Sequence, residues 1–182
     1  LTCSDRSPRM IAAARDKFAN AGLPALFFAA DMCALPVNAS YDAVICLYDS
    51  MNYLTVDDHF RDSVAEAARV TRRGGLFVFD VCTVKNSLLY FDNDSMIENV
   101  GEVSYERVCR YNPDTRIQEN HFYIHHDDVC DIERHFQKIY YLDEIESMFD
   151  SSVWDMVGRF DDMSFEDGSE ESERVHYVYR RV

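Results

Sequence analysis

The sequence predicts an α/β fold, a parallel sheet with an inserted antiparallel cap, and two changes of rhythm predict it. In the first half, short apolar runs alternate with stretches of helical spacing, the pattern of successive strand-helix-strand units. After about residue 100 that spacing gives way to alternation, the period of strands with one buried face. The 182 residues, 47% of them hydrophobic, suit a single domain with a substantial core. Within it, 1–100 reads as the parallel core, 101–141 as the cap and 142–182 as a closing helix and strand pair.

Leu1 to Ser4 reads as a strand ending at Asp5. Ser7-Pro8 follows as N-cap and first helical residue, because Ser can satisfy a free N–H and Pro lacks one. Met10, Ile11, Ala14 and Phe18 then share a helix face, and Gly22 supplies the stop. Ala25 to Ala29 is a second strand, closing at Asp31. Asp42 to Tyr48 is a third, apolar on both faces as a central parallel strand should be. Thr55-Val-Asp-Asp58 reads as a capping box opening a helix with Phe60, Val64, Ala67 and Ala68 on one face. Gly74-Gly75 leads into a fourth strand, Leu76 to Phe79, closing at Asp80.

Three alternating segments follow, Val103 to Tyr111, Arg116 to His125 and Ile132 to Tyr141. Asn112-Pro113-Asp114 makes the first turn between them and His126-Asp127-Asp128 the second. Asp143 is read as the cap of a helix carrying Ile145, Met148 and Phe149. Val153 to Phe160 and Arg174 to Val182 are the last strands, joined by an acidic, solvated Asp161 to Glu173 loop.

Thirty-three acidic against 18 basic residues give a net charge of −15. Polyphosphates and anionic membranes bind through clustered Lys and Arg, so neither nucleic acid nor a membrane surface is expected as a partner. A small molecule is the expected substrate, and a homodimer is compatible with the sequence without being required by it. Six cysteines without a Cys-x-x-Cys point to free thiols in a reducing cytoplasm. His121, His125, His126 and His135 lack zinc-like spacing, and the adjacent pair would point to opposite faces of a strand. No metal is expected. The chain opens on Leu1 rather than Met, which points to sequence upstream.

The run Cys3-Ser-Asp-Arg-Ser-Pro-Arg-Met10 resembles the end of the second strand in class I S-adenosylmethionine (SAM)-dependent methyltransferases. Asp31-Met32, Tyr41-Asp-Ala-Val44, Leu47-Tyr-Asp-Ser-Met-Asn-Tyr-Leu54 and Ala68 to Asp80 follow in the family's order, with Arg73 where a Pro is usual. Glu133-Arg-His-Phe-Gln-Lys-Ile-Tyr140 is similar to a hairpin that covers the active site in a bacterial branch of small or uncharacterised members. The resemblance implies a Rossmann-like class I sheet without its first strand and helix. The family's glycine-rich loop would precede Leu1, so the sheet should show a gap where that central strand belongs.

The same resemblance implies SAM as cofactor. Asp5, with Arg6 beside it, would accept from the ribose hydroxyls, or Asp5 would simply cap its helix. Asp31 would accept from the adenine amine with Met32 beside the ring, or would be a turn residue. Leu47 and Tyr48 would line the methionine moiety. Asp49 and His135 are the candidate catalytic residues, although a structural role for Asp49 is equally open. Ser50, Tyr53, Arg134 and Tyr140 are the candidate substrate contacts; Tyr53 is also readable as core, and the cap residues as an exposed stripe. The reaction expected is in-line transfer of a methyl group to a nitrogen or oxygen of a small molecule. Two alternatives stand: a nicotinamide-dependent oxidoreductase, and a non-catalytic module that kept the fold without the cofactor loop.

Overall fold

The protein is described by a computed structural model covering all residues except 39, 102, 127 and 128. The first sheet holds two parallel strands, β1 (Thr2–Asp5) and β2 (Leu26–Ala29), with Asp5 opposite Ala29. Helix α1 (Pro8–Asn20) connects them. The Ser7 hydroxyl accepts the Met10 N–H at 3.3 Å, and Gly22 closes the helix at φ +66°, a conformation costly for any other residue.

The second sheet has the order β3 (Tyr41–Cys46), β4 (Thr71–Cys82), β10 (Arg174–Arg181), β9 (Trp154–Asp161). β3 and β4 are parallel and joined through α2 (Asp57–Val70), whereas β10 runs antiparallel to both its neighbours. Phe60, Val64 and Ala67 of α2 pack on Phe77, Phe79, Tyr177 and Tyr179. At the centre, the Phe79 ring is fully buried and stacks 5.0 Å from Tyr177 and 5.7 Å from Phe149. At Gly75 a Cβ would lie 2.9 Å from the Asp42 carbonyl, so the entry to β4 admits no side chain.

The third sheet is an antiparallel meander of β5 (Ser95–Val100), β6 (Val103–Asn112), β7 (Ile117–His126) and β8 (Val129–Lys138). Helix α3 (Val84–Tyr90) leads into it, and α4 (Leu142–Ser147) follows it. The Asn112 carboxamide accepts the Asp114 and Thr115 N–H groups, which makes the expected turn. The second expected turn, His126-Asp127-Asp128, rests on residues outside those described.

The expected gap in the sheet is present: among the described residues β1 pairs with β2 and β3 with β4, with no strand joining the two pairs, and Ile45 of β3 is 62% exposed. Several other expectations need correction. The Thr55 capping box does not form: Val56 is the N-cap of α2, and Asp57 and Asp58 occupy its first turn, where negative charge suits the helix dipole. Tyr141 rather than Asp143 precedes α4, with its N–H held by Glu144 at 2.9 Å. β5 and α3 were not anticipated. The acidic segment is the expected loop, exposed over most of its length and pinned at two points: the Thr83 hydroxyl donates to the buried Ser172 carbonyl at 2.5 Å, and Glu170 accepts the Leu142 N–H at 2.7 Å. Among the described residues no helix is long and apolar enough to cross a membrane.

The cysteines carry the first prediction. Burial pushes the Cys46 and Cys82 thiols up to about 12, with the nearby Asp80 and Asp49 charges acting in the same direction. Cys130 is exposed. Because the thiolate is the reacting species, brief iodoacetamide treatment at pH 8 is expected to label Cys130 and spare Cys46 and Cys82 until the protein is unfolded. Peptide mass spectrometry reads this out, and equal labelling of all three in the folded protein would contradict it.

Candidate active site

The carboxyl ends of β1, β2 and β3 carry Asp5, Asp31 and the Leu47–Asp49 turn, the edge where ligands gather in open α/β sheets. Asp5 and Asp31 are exposed. Each engages one oxygen locally: Asp5 Oδ1 accepts the Ser7 N–H at 2.7 Å, and Asp31 Oδ1 the Cys33 N–H at 2.9 Å. The Cys33 N–H is the main cause holding the Asp31 carboxyl below its usual range, with smaller help from the Arg6 charge. Arg6 is exposed, whereas Met32 is half-buried against the core. Two carboxylates with acceptor capacity to spare, at the ends of adjacent parallel strands, fit the hydroxyls and amino group of an adenosine moiety.

Beyond β3 the chain enters the left-handed region twice in succession, at Tyr48 (φ 59°) and Asp49 (φ 49°). For non-glycine residues such geometry costs about 1–3 kcal/mol each and persists only where the surroundings enforce it. The enforcement is visible. The Asp49 N–H donates to Asp80 Oδ2 at 3.0 Å, and the Ser50 hydroxyl donates to the Leu47 carbonyl at 2.8 Å. Arg174, at the start of β10, donates to Asp49 Oδ1 at 3.0 Å and also to Asp80. Gln137 of β8 donates to Asp49 Oδ2. Both Asp49 oxygens thus accept hydrogen bonds from within the protein. Tyr48 and Leu47 are exposed at 85% and 42%.

A polar chain runs on from Asp49 into the cap. Gln118 donates to Gln137 at 3.2 Å and accepts from the Ser87 hydroxyl at 2.9 Å. Asn52 is wholly buried beside it, accepting the Cys82 N–H at 3.0 Å and donating to the Lys138 carbonyl at 2.8 Å. Burial lowers the Arg174 guanidinium, but Cys82, Asp49 and Asp80 outweigh it and hold this group charged, above its usual range.

His135 lies on the same face of β8 as Gln137, in agreement with strand alternation. Its Nδ1 is 3.0 Å from the Tyr53 hydroxyl, and its Nε2 is 3.3 Å from Glu133. A carboxylate only accepts, so the neutral ring carries its proton on Nε2 toward Glu133 and accepts from Tyr53 through Nδ1. The Phe122 ring packs edge-on at 5.3 Å. Burial, then the Asp49 and Glu133 charges, raise the Tyr53 phenol and keep it protonated at neutral pH.

The remaining candidates lie elsewhere. Arg134 is exposed and alternates to the opposite face of β8 from His135. Tyr140 is 1% exposed, with its hydroxyl donating to the Leu54 carbonyl at 2.6 Å, and it serves the core rather than a pocket. Arg174, Asp80, Gln118 and Asn52 were not anticipated as site residues. An Arg opening the last strand ahead of Val175, Tyr177 and Tyr179, and a polar Asn amid Met51, Tyr53 and Leu54, were the available signals.

Residues 1–75 match a family model described as a methyltransferase domain. A protein of Geobacillus sp. (strain WCH70), named as a candidate methyltransferase, is 27% identical over 186 residues, covering 100% of this chain and 75% of that protein. An S-adenosylmethionine-dependent methyltransferase from Clostridium acetobutylicum ATCC 824 aligns with a TM-score of 0.85 at 22% identity, over 98% of this chain and 74% of its own. SAM-bound CalS10, an amino pentose methyltransferase from Micromonospora echinaspora, aligns with a TM-score of 0.72 at 17% identity, over 100% and 73%.

Proposed function

We propose that this chain, whose residues 1–75 match a methyltransferase-domain model and whose fold is that of SAM-dependent methyltransferases, methylates a nitrogen or oxygen of a small molecule beneath the antiparallel cap. The observation that carries the reading is the Glu133–His135–Tyr53 chain, which ends beside the turn that closes β3. SAM, when bound, supplies an electrophilic methyl group. Asp5 and Asp31 would hold its adenosine moiety, with Arg6 and Met32 beside them, and the backbone of Leu47 and Tyr48 would take the amino-acid portion. Ser50 acts through the backbone, by its bond to the Leu47 carbonyl.

The acceptor lies between the cap and that turn, against Tyr53 and Phe122. Its proton passes to the Tyr53 oxygen as the phenol proton passes to His135 Nδ1, and the imidazolium formed is stabilised by Glu133. An amine fits best. Aromatic rings beside a carboxylate attract a cation, the net charge of −15 favours a neutral or cationic acceptor over a phosphorylated one, and the aligned CalS10 is an amino pentose methyltransferase.

Calorimetric titration with SAM, on the protein as its gene encodes it, tests the reading. Binding is expected, and Asp5→Ala should weaken it about 10- to 100-fold, the loss of one or two hydrogen bonds to a charged acceptor. Absence of binding by the wild type would favour a non-catalytic module on this fold.

A further inference from the structure

We propose that Arg174 is a positioning residue for SAM, resting on the reading above: from the far end of the chain it fixes the strained turn that faces the cofactor, in concert with Gln137 of the cap. Arg174 is 125 residues from Asp49 in sequence, yet one guanidinium nitrogen donates to Asp49 Oδ1 and the other to Asp80. Asp80 in turn accepts the Asp49 N–H. The three groups close a ring in which the side chain and the backbone of Asp49 are both tied to the end of β4. The turn held this way contains Tyr48 and Asp49, two consecutive non-glycine residues at positive φ. Without the ring that backbone relaxes to a cheaper conformation and its carbonyl and N–H groups turn away from the ligand edge.

Only arginine fills this position. Its planar fork presents separate donors to two carboxylates, whereas a lysine ammonium is a single point on a flexible stem. The Asp49 side chain is 20% exposed and that of Asp80 1%, so two carboxylates without the guanidinium would leave negative charge uncompensated in a largely dry site. The cap enters through Gln137, which is 4% exposed and donates to the other Asp49 oxygen. The sheet over the acceptor and the turn facing the cofactor are therefore joined through one carboxylate.

SAM affinity of the encoded protein, measured by calorimetry at a temperature where each variant is fully folded by circular dichroism, separates positioning from mere stabilisation. Arg174→Met and Arg174→Lys should each weaken SAM about 10- to 100-fold, the scale of a lost charge-assisted hydrogen bond. Gln137→Met should weaken it less, and its effect should not add fully to that of Arg174→Lys, because both act through Asp49. Wild-type affinity in a folded Arg174→Lys protein would overturn the proposal while leaving the methyltransferase reading intact. Failure of the wild type to bind SAM would remove both. If Arg174→Met does not fold, Arg174→Lys, which retains the charge, decides.

Discussion

His135→Gln is expected to lower kcat by about 10²–10³-fold, within the range for loss of a positioned general base, while leaving SAM affinity unchanged within about twofold. The separation follows from the geometry. His135 belongs to the cap and touches Tyr53 and Glu133, whereas the edge proposed for the cofactor is built from the ends of β1, β2 and β3. Glutamine keeps a polar side chain of similar reach but takes up no proton at neutral pH. Tyr53→Phe probes the same chain from its outer end: it removes the hydroxyl while leaving a ring to pack edge-on against His135, where the centroids are now 5.8 Å apart. The measurement is transfer of labelled methyl from SAM across a panel of small amines and alcohols, with SAM binding followed separately. A kcat unaffected in both variants would mean that the acceptor loses its proton to water, and His135 would then be only a wall of the pocket.

Local rules made much of the fold legible. The Ser7-Pro8 start and Gly22 stop of α1 depend on the chemistry of single residues and were readable as such. The cap strands β6, β7 and β8 announced themselves by alternation, which burial follows only at their core-proximal ends: Cys109, Tyr111, Gln118, Asn120 and Gln137 are buried, whereas Val129 to Arg134 are exposed. β5 did not, since its edge position leaves almost every residue exposed and the sequence Ser95 to Val100 shows no clear period.

The site was less legible, for a reason of distance. Asp49 was visible as the residue closing a strand, but its partners come from β4, β8 and β10, with separations of 31, 88 and 125 residues. Nothing periodic in a sequence encodes a hydrogen bond between such positions. The strand face of His135 was a consequence of alternation, which also separated it from Arg134; the identity of its neighbours, Tyr53 and Phe122, required the third dimension.

Asn52→Leu is expected to cost about 2–5 kcal/mol of folding stability, because each backbone group left unpaired in the interior costs about 1–3 kcal/mol. Asn52 is 0% exposed, and its carboxamide does two things at once: Oδ1 accepts the Cys82 N–H at 3.0 Å and Nδ2 donates to the Lys138 carbonyl at 2.8 Å. Those two groups sit at the ends of β4 and β8, so the same side chain ties the central sheet to the cap. Leucine keeps the branched outline of the side chain and removes both hydrogen bonds; it leaves no cavity, and its larger methyl groups add a packing cost in the same direction. Against a total stability of about 5–15 kcal/mol, the variant should unfold at a clearly lower urea concentration with a similar slope. Asn52→Asp keeps an acceptor for Cys82 but loses the donor to Lys138 and introduces a charge beside Asp49 and Asp80, so it should be destabilised as well, and more so as pH rises and the carboxyl ionises. A loss below about 1 kcal/mol in the leucine variant would mean that water or a shifted neighbour satisfies both backbone groups, and that the cap is attached to the sheet by packing alone.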